Sequence, residues 1–140
     1  MNEQEQIIVE IGQILMRSAN RSNPDWDYCG YMFESRDGVS SGGTKFVYAN
    51  RVRFPLELGR ERRQITDAFK SFREVTRVEG DNHWIKCLAV LRKDGDFKML
   101  FEFKDWKRWT ISPANVERAY EILVGEIYPD AIAHDGSMQA

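Results

Sequence analysis

The length, composition and charge of the chain restrict the classes of protein to which it can belong. Its 140 residues suffice for one domain, and 42% hydrophobic residues with 8 Phe, 5 Tyr and 4 Trp exclude a disordered chain. Twenty basic and 22 acidic residues give a formal net charge of -2, which argues against the strongly basic surface of many nucleic-acid binders. No apolar run approaches the roughly 20 residues of a membrane-spanning helix.

The chain begins with an amphipathic pattern. Within residues 3–17, Ile7, Ile11 and Ile14 recur at helical spacing and predict a helix with one apolar face. Pro24 disfavours the helical conformation of the residue before it, so the pattern predicts that the helix stops between residues 20 and 23.

Two strands are predicted next. Residues 26–33 alternate and consist mainly of β-forming types, residues 35–43 are rich in turn formers, and residues 44–49 predict a second strand, antiparallel to the first. Residues 51–59 also alternate, but Pro55 cannot donate to a ladder, so this stretch is an edge strand or an irregular segment.

The same order repeats in the second half of the chain. Apolar residues on one face predict a helix over residues 60–77. Residues 84–91 predict a buried strand, and the turn residues 93–95 connect it to an alternating, aromatic strand at 97–104.

A third helix is predicted near the C-terminus. Ser112 is a good helix cap, Pro113 suits the first helical position, and Pro129 brings the apolar periodicity to an end. The whole pattern predicts an α+β domain at residues 1–130, with a flexible tail at 131–140. Its four-stranded antiparallel sheet would carry three helices, mainly on one face, in the order α-β-β-α-β-β-α.

The N-terminal residues and the cysteines predict the compartment. Residues 1–6 are polar and acidic, whereas a secretory signal starts basic and continues apolar. Cys29 and Cys87 each lie in an apolar stretch, which favours buried thiols over a disulfide framework. We therefore expect a cytoplasmic protein.

Residues with catalytic chemistry are scarce. The sequence contains no Walker loop, dinucleotide fingerprint, GxSxG elbow, HExxH or CxxC motif, and these absences predict no enzyme, no metal site and no cofactor. A small hydrolase or nuclease built on Asp25, Asp27 and His83 remains an alternative.

The basic stretch around the second helix offers another alternative. Residues 51–80 carry a surplus of basic groups, whereas both flanking segments are acidic. These cations could contact phosphate, but Glu61, Asp67 and Glu74 interrupt them, so a solvated helix face competes with a nucleic-acid-binding module.

The most distinctive stretch is residues 105–109 (DWKRW), in which two tryptophans lie among charges. Tryptophan and arginine are enriched at the energetic centres of protein interfaces, which favours a partner surface. Either ring could instead fill the gap between the sheet and the following helix.

The second half of the chain resembles a known family. Trp84 opens an apolar strand, Asp94 and Gly95 form the hairpin turn, and residues 101–103 (FEF) are followed by Asp105. With the N-terminal amphipathic helix, these features resemble the YezG-like immunity proteins, most closely over residues 83–123.

The resemblance implies a role in interbacterial competition. Proteins of this family are small cytoplasmic antitoxins that bind and silence a cognate toxin domain, often a nuclease delivered by contact-dependent growth inhibition or by secretion systems. It therefore implies a protein partner and a binding role without catalysis. The identity of the toxin, the binding surface and the oligomeric state stay open.

Candidate partner contacts are acids beside aromatic residues, since these suit a basic toxin surface. On and near the first hairpin they are Asp25, Trp26, Asp27, Glu34 and Asp37. Near the second hairpin they are Glu102, Asp105, Trp106 and Trp109.

Overall fold

The computed structural model of the chain describes residues 1–36, 40–77 and 83–132. Its helices and strands follow in the order α1 (Glu3–Ser22), β1 (Tyr28–Arg36), β2 (Ser40–Ala49), β3 (Val52–Phe54), α2 (Arg62–Val75), β4 (Lys86–Arg92) and β5 (Phe97–Glu102). The predicted α+β class is confirmed.

The strands form one antiparallel sheet in the order β3-β2-β1-β4-β5. Both predicted hairpins are present, but the predicted number of four strands is wrong. The fifth strand is β3, which comes from the ambiguous segment. Asn50 and Arg51 adopt φ values of 50° and 67° in a tight turn that pairs β3 with β2, and β3 ends immediately before Pro55.

One face of the sheet, which we call the helix face, is covered by α1 and α2. Alternate strand residues such as Tyr31, Phe33 and Ala89 point into this core, where the Phe33 and Phe69 rings stack 4.9 Å apart. Helix α1 begins with a capping box, because Asn2 Oδ1 accepts the N–H of Glu5 at 2.8 Å. The apolar stripes of both helices are thus buried as their periodicity predicts.

The C-terminal segment covers the opposite face of the sheet. Leu123, Val124 and Tyr128 pack there against strand residues that include Leu88 and Val90. The sheet is therefore covered on both faces, and strands β1 and β4 are buried along most of their length.

The prediction of a third α-helix is wrong, because the segment does not form a regular helix. Residues 112–129 contain a 3-10 turn at Val116–Arg118 and a π-helical turn at Glu121–Gly125. Ser112 Oγ accepts the Ala114 N–H at 3.3 Å, as predicted for a capping serine, and Asn115 Oδ1 accepts the Ser112 N–H at 2.7 Å. These bonds close a local turn, and no regular α-helix follows it. Ala119, Leu123 and Ile127 of the predicted apolar stripe are still buried against the sheet, whereas Val116 is exposed.

Candidate functional site

A row of three charged residues crosses the sheet on the opposite face. Lys86 of β4 lies directly between Glu34 of β1 and Glu102 of β5 in the strand register. The Lys86 side chain is fully buried, and its Nζ donates to the Arg108 carbonyl and to Thr110 Oγ1, both at 2.9 Å. Burial lowers the pKa of Lys86, while Glu34 and the neighbouring acids oppose that effect.

Glu102 organises the loop that follows β5. Its Oε2 accepts the backbone N–H groups of Phe103, Lys104 and Asp105 at 3.1, 3.0 and 3.1 Å, and its Oε1 accepts from Arg108 at 2.9 Å. The Asp105 amide, followed by Arg108 and the other amides, lowers the pKa of Glu102 to about 2. This carboxylate therefore holds the loop in one conformation.

We expect Glu102→Gln to reveal this role through the pH dependence of stability. Because folding lowers the pKa from its ordinary value of 4.5 to about 2, the ionised carboxylate stabilises the protein above about pH 4.5, and this contribution is lost as the pH falls towards 2. The free energy of unfolding, measured in urea, should differ between parent and variant at pH 7, and the difference should shrink as the medium becomes acidic. Glu117→Gln, at an exposed position, is the control, and a pH-independent difference for Glu102→Gln would contradict the assignment.

The two tryptophans of this loop have different environments. Trp109 is buried with φ of 63°, its Nε1–H donates to Glu126, and the Arg108 guanidinium lies 4.3 Å from its ring. Trp106 is partly exposed, and the guanidinium of Arg36 lies 4.1 Å from its ring centroid. Trp109 therefore fills the space between the sheet and the C-terminal segment, whereas Trp106 presents a surface.

Exposed groups surround Trp106. Asp105 is exposed, and its Oδ1 accepts the N–H of Lys107 at 2.9 Å. We refer to the patch formed by Glu34, Arg36, Asp105 and Trp106 as the Trp106 surface. It joins a cation, two acids and an aromatic ring at the end of the sheet where β1 and β5 finish.

The structure places Asp25, Trp26 and Asp27 at the far end of β1. Asp25 is exposed, but Trp26 is fully buried, with its Nε1–H donating to Asn20 Oδ1 at 2.7 Å. Asp27 Oδ2 accepts the N–H of Asn50 at 3.1 Å, and Asp27 Oδ1 is buried. Asp37 lies outside the described residues. The eight predicted contacts that the structure describes therefore do not form one patch.

The hydrolase alternative requires residues that the sheet separates. Asp27 immediately precedes β1, whereas His83 precedes β4, whose first residue pairs with the far end of β1. The antiparallel register therefore places His83 near the Glu34 end of β1, seven residues or about 23 Å from Asp27 at roughly 3.3 Å per strand residue. His83 Nε2 instead lies 3.0 Å from Glu74 Oε2. This arrangement contradicts a shared site for Asp25, Asp27 and His83.

The basic second helix is only partly available to a ligand. Arg73 is buried, and its Nε donates to the Trp84 carbonyl at 2.6 Å, so this guanidinium ties α2 to the start of β4. Arg63 and Lys70 are exposed on the helix. Of these α2 cations, Arg73 therefore makes a structural contact, whereas Arg63 and Lys70 face the solvent.

Sequence reasoning missed three basic residues of the site. Arg36 falls in a segment that the sequence predicts as a turn, Lys86 falls in a predicted buried strand, and Arg108 is distinguished only as part of the DWKRW stretch. Lys86 carries a usable signal, because it is the single charged residue in the apolar run 84–91. Arg36 gives no such signal, since its contact with Trp106 joins segments that are distant in sequence.

Comparison with known proteins identifies the family. The family model described as immunity protein YezG-like matches residues 56–134, which is more than half of the chain and includes α2, β4, β5 and the Trp106 loop. The chain belongs to the YezG-like immunity protein family. No curated protein matches the sequence.

The described residues contain neither a candidate membrane-spanning helix nor a candidate metal-binding cluster. No helix among residues 1–36, 40–77 and 83–132 is long and apolar enough to cross a membrane. Within the same ranges, no group of three or more His, Cys, Asp or Glu side chains is arranged to hold a metal ion.

Proposed function

We propose that the protein is a cytoplasmic immunity protein that binds a cognate bacterial toxin domain, a nuclease, and covers its active site or its substrate-binding surface. The toxin would be delivered between competing bacteria, by contact-dependent growth inhibition or by secretion. Membership of the family supports the immunity role. The Trp106 surface is the observation that supports protein binding, because it lies within a rigid framework of hydrogen bonds.

The composition of the Trp106 surface suits an interface. Tryptophan and arginine dominate the energetic centres of protein interfaces, and the Arg36 guanidinium lies on the partly exposed Trp106 ring. Glu34 and Asp105 supply negative charge beside this pair, which would speed association with a basic nuclease. A toxin domain centred here would bury about 1,200–2,000 Å² in total, the size of a standard stable interface.

Preorganisation also favours binding at this surface. Glu102 holds three consecutive amides of the loop, and Lys86 holds the Arg108 carbonyl and the Thr110 hydroxyl. Because these contacts already order the loop that carries Asp105 and Trp106, binding would cost little additional conformational entropy. In this proposal Glu102 and Trp109 hold the Trp106 surface in place and do not themselves contact the toxin.

The function is tested by capture and neutralisation. The protein would be used as bait in an extract of its native bacterium, and bound chains would be identified by mass spectrometry and expressed alone and together with it. We expect a stoichiometric partner that arrests growth alone and is harmless when co-expressed. Recovery of nucleic acid without a protein partner would contradict the proposal and favour the basic α2 as a nucleic-acid contact.

Trp106→Ala tests the surface itself. Loss of the partly exposed ring and of its contact with Arg36 should weaken toxin binding by about 2 kcal/mol or more, roughly a 30-fold rise in Kd, as expected for a tryptophan at the centre of an interface. Calorimetric titration measures the change, with thermal melting to verify the fold. Val9→Ala removes an exposed apolar side chain on α1 and should leave Kd unchanged. If Trp106→Ala and Val9→Ala bind the toxin with equal affinity, the toxin binds a surface other than the Trp106 surface.

A further inference from the structure

Among the described strands, β2 has a neighbour along only part of one edge. Strand β2 pairs with β1 from Ser40 to Tyr48, but on its other side the pairing with β3 extends only from Ala49 to Val47. Among the described strands, none lies on that side of residues 43–46. A groove of about 700 Å³ runs along this open edge, between residues 43–45 and residues 53–56.

The main chain of the open edge has unused hydrogen-bonding capacity. Residues in an antiparallel strand direct their N–H and C=O groups to alternate sides. The Tyr48 carbonyl accepts the Asp27 N–H at 2.9 Å, on the β1 side. Lys45, three residues earlier, therefore faces the opposite side, in agreement with the donation of Arg53 Nη2 to the Lys45 carbonyl at 3.2 Å. Because no described strand lies beside Lys45 on that side, its N–H is available to an added strand.

The edge is positively charged. Lys45 and Arg53 line the groove, and Arg62 at the start of α2 lies close enough to repel Lys45. In the described part of the chain none of these three cations forms an ion pair with a carboxylate. Burial, followed by the repulsion from Arg62, lowers the pKa of Lys45, as expected for a cation without a nearby acid.

This charge discriminates between possible occupants. A second copy of the chain, paired edge to edge, would bring Lys45 and Arg53 against their own counterparts, and lysine on an edge strand is a recognised barrier to self-association. A strand carrying Asp or Glu would instead supply the missing counter-charges while its main chain pairs with β2. Charge complementarity thus favours an acidic partner strand.

We propose that an extended, acidic segment of the toxin pairs with the open edge of β2 at residues 43–46 and adds a sixth strand to the sheet. The identity of the partner rests on the proposed function. The register places Gly42 beside Glu34, so this edge and the Trp106 surface lie at the same end of the sheet, about 14 Å apart across three strand spacings. One partner domain can reach both.

The test uses the full chain, labelled with ¹⁵N, and a short peptide in which valine and glutamate alternate. We expect the amide signals of residues 43–47 to shift on titration, and a peptide with lysine in place of glutamate to bind at least about tenfold more weakly. Shifts confined to other residues, or equal binding of the two peptides, would overturn the proposal.

Two substitutions at one position separate main-chain pairing from charge. Lys45→Ala removes the cation and keeps the N–H, whereas Lys45→Pro removes both at a position where an edge strand tolerates proline. Thermal melting and circular dichroism report whether each variant is folded. We expect Lys45→Pro to bind the acidic peptide about tenfold more weakly than Lys45→Ala. Equal binding by the two folded variants would exclude strand addition.

The same pair of variants, titrated with the captured toxin, separates this inference from the proposed function. If the toxin binds both variants equally, the edge is not its contact, although the immunity role stands. If no toxin is captured at all, the proposed function fails, while the peptide titration still shows whether the edge accepts an acidic strand.

Discussion

Replacement of Gly43 by alanine should destabilise the protein by about 3 kcal/mol or more, at the upper end of the range for single substitutions. Gly43 has φ of +152°, a conformation that L-residues rarely adopt, and an added Cβ would lie 1.7 Å from the Met32 carbonyl oxygen. Met32 is paired with β2 on one side and with β4 on the other. The obstruction is therefore backbone at the centre of the sheet, and relief would require β1 and β2 to separate.

The neighbouring glycine provides the control for this prediction. A Cβ at Gly42 would meet no atom within 4 Å, so Gly42→Ala should change stability by less than about 1 kcal/mol. The free energies of unfolding of both variants would be measured in urea by tryptophan fluorescence. Similar stabilities for the two variants would show that the close approach at Gly43 is absent in solution.

Lys86→Met should also have a large effect, about 3 kcal/mol of lost stability. Methionine preserves the apolar stem but removes the ammonium group, so the Arg108 carbonyl and Thr110 Oγ1 lose their donor. Glu34 and Glu102, which flank Lys86 in the register, lose the cation between them. A buried acceptor or charge without its partner carries the full cost of its desolvation.

Urea unfolding measures this loss, and hydrogen exchange locates it. Amides of residues 103–110 should exchange faster in Lys86→Met, whereas those of β1 should change less, because the ammonium secures the loop. Lys107→Ala, at an exposed position in the same loop, should stay within about 0.5 kcal/mol of the parent. Unchanged stability in Lys86→Met would show that its buried ammonium contributes little net energy.

Periodicity in the sequence predicted the strongly patterned elements well. The apolar stripes of α1 and α2 face a single core, and both predicted hairpins pair as expected, one of them around Gly95 with φ of 97°. These elements follow from local rules, because each pattern matches one secondary-structure period and is bounded by turn residues.

The irregular elements were predicted less well. Strand β3 has only three residues, and its pairing depends on a turn in which Asn50 and Arg51, neither of them glycine, take positive φ. The segment 112–129 has the periodicity of an α-helix but forms short 3-10 and π turns against the sheet. In both places tertiary packing overrode a local preference, which is a weak contribution to the total energy.

In the candidate site, too, the sequence predicted some features and tertiary packing determined others. The sequence drew attention to residues 105–109, and the structure places Trp106 on a surface and Trp109 in the core. Trp26 is also buried, although in the sequence it lies beside acidic residues, as Trp106 does. Whether such a ring is exposed depends on what the remainder of the chain places over it.

The residue pattern alone predicts the α+β class, the two hairpins, the two amphipathic helices and the resemblance to the family that the comparison established. These properties are encoded by neighbouring residues. The folded chain is needed to show that Lys86 lies between Glu34 and Glu102, that Arg36 contacts Trp106 and that no described strand lies along one part of the β2 edge. Such features depend on strand register and on contacts between distant segments, and no local pattern specifies them.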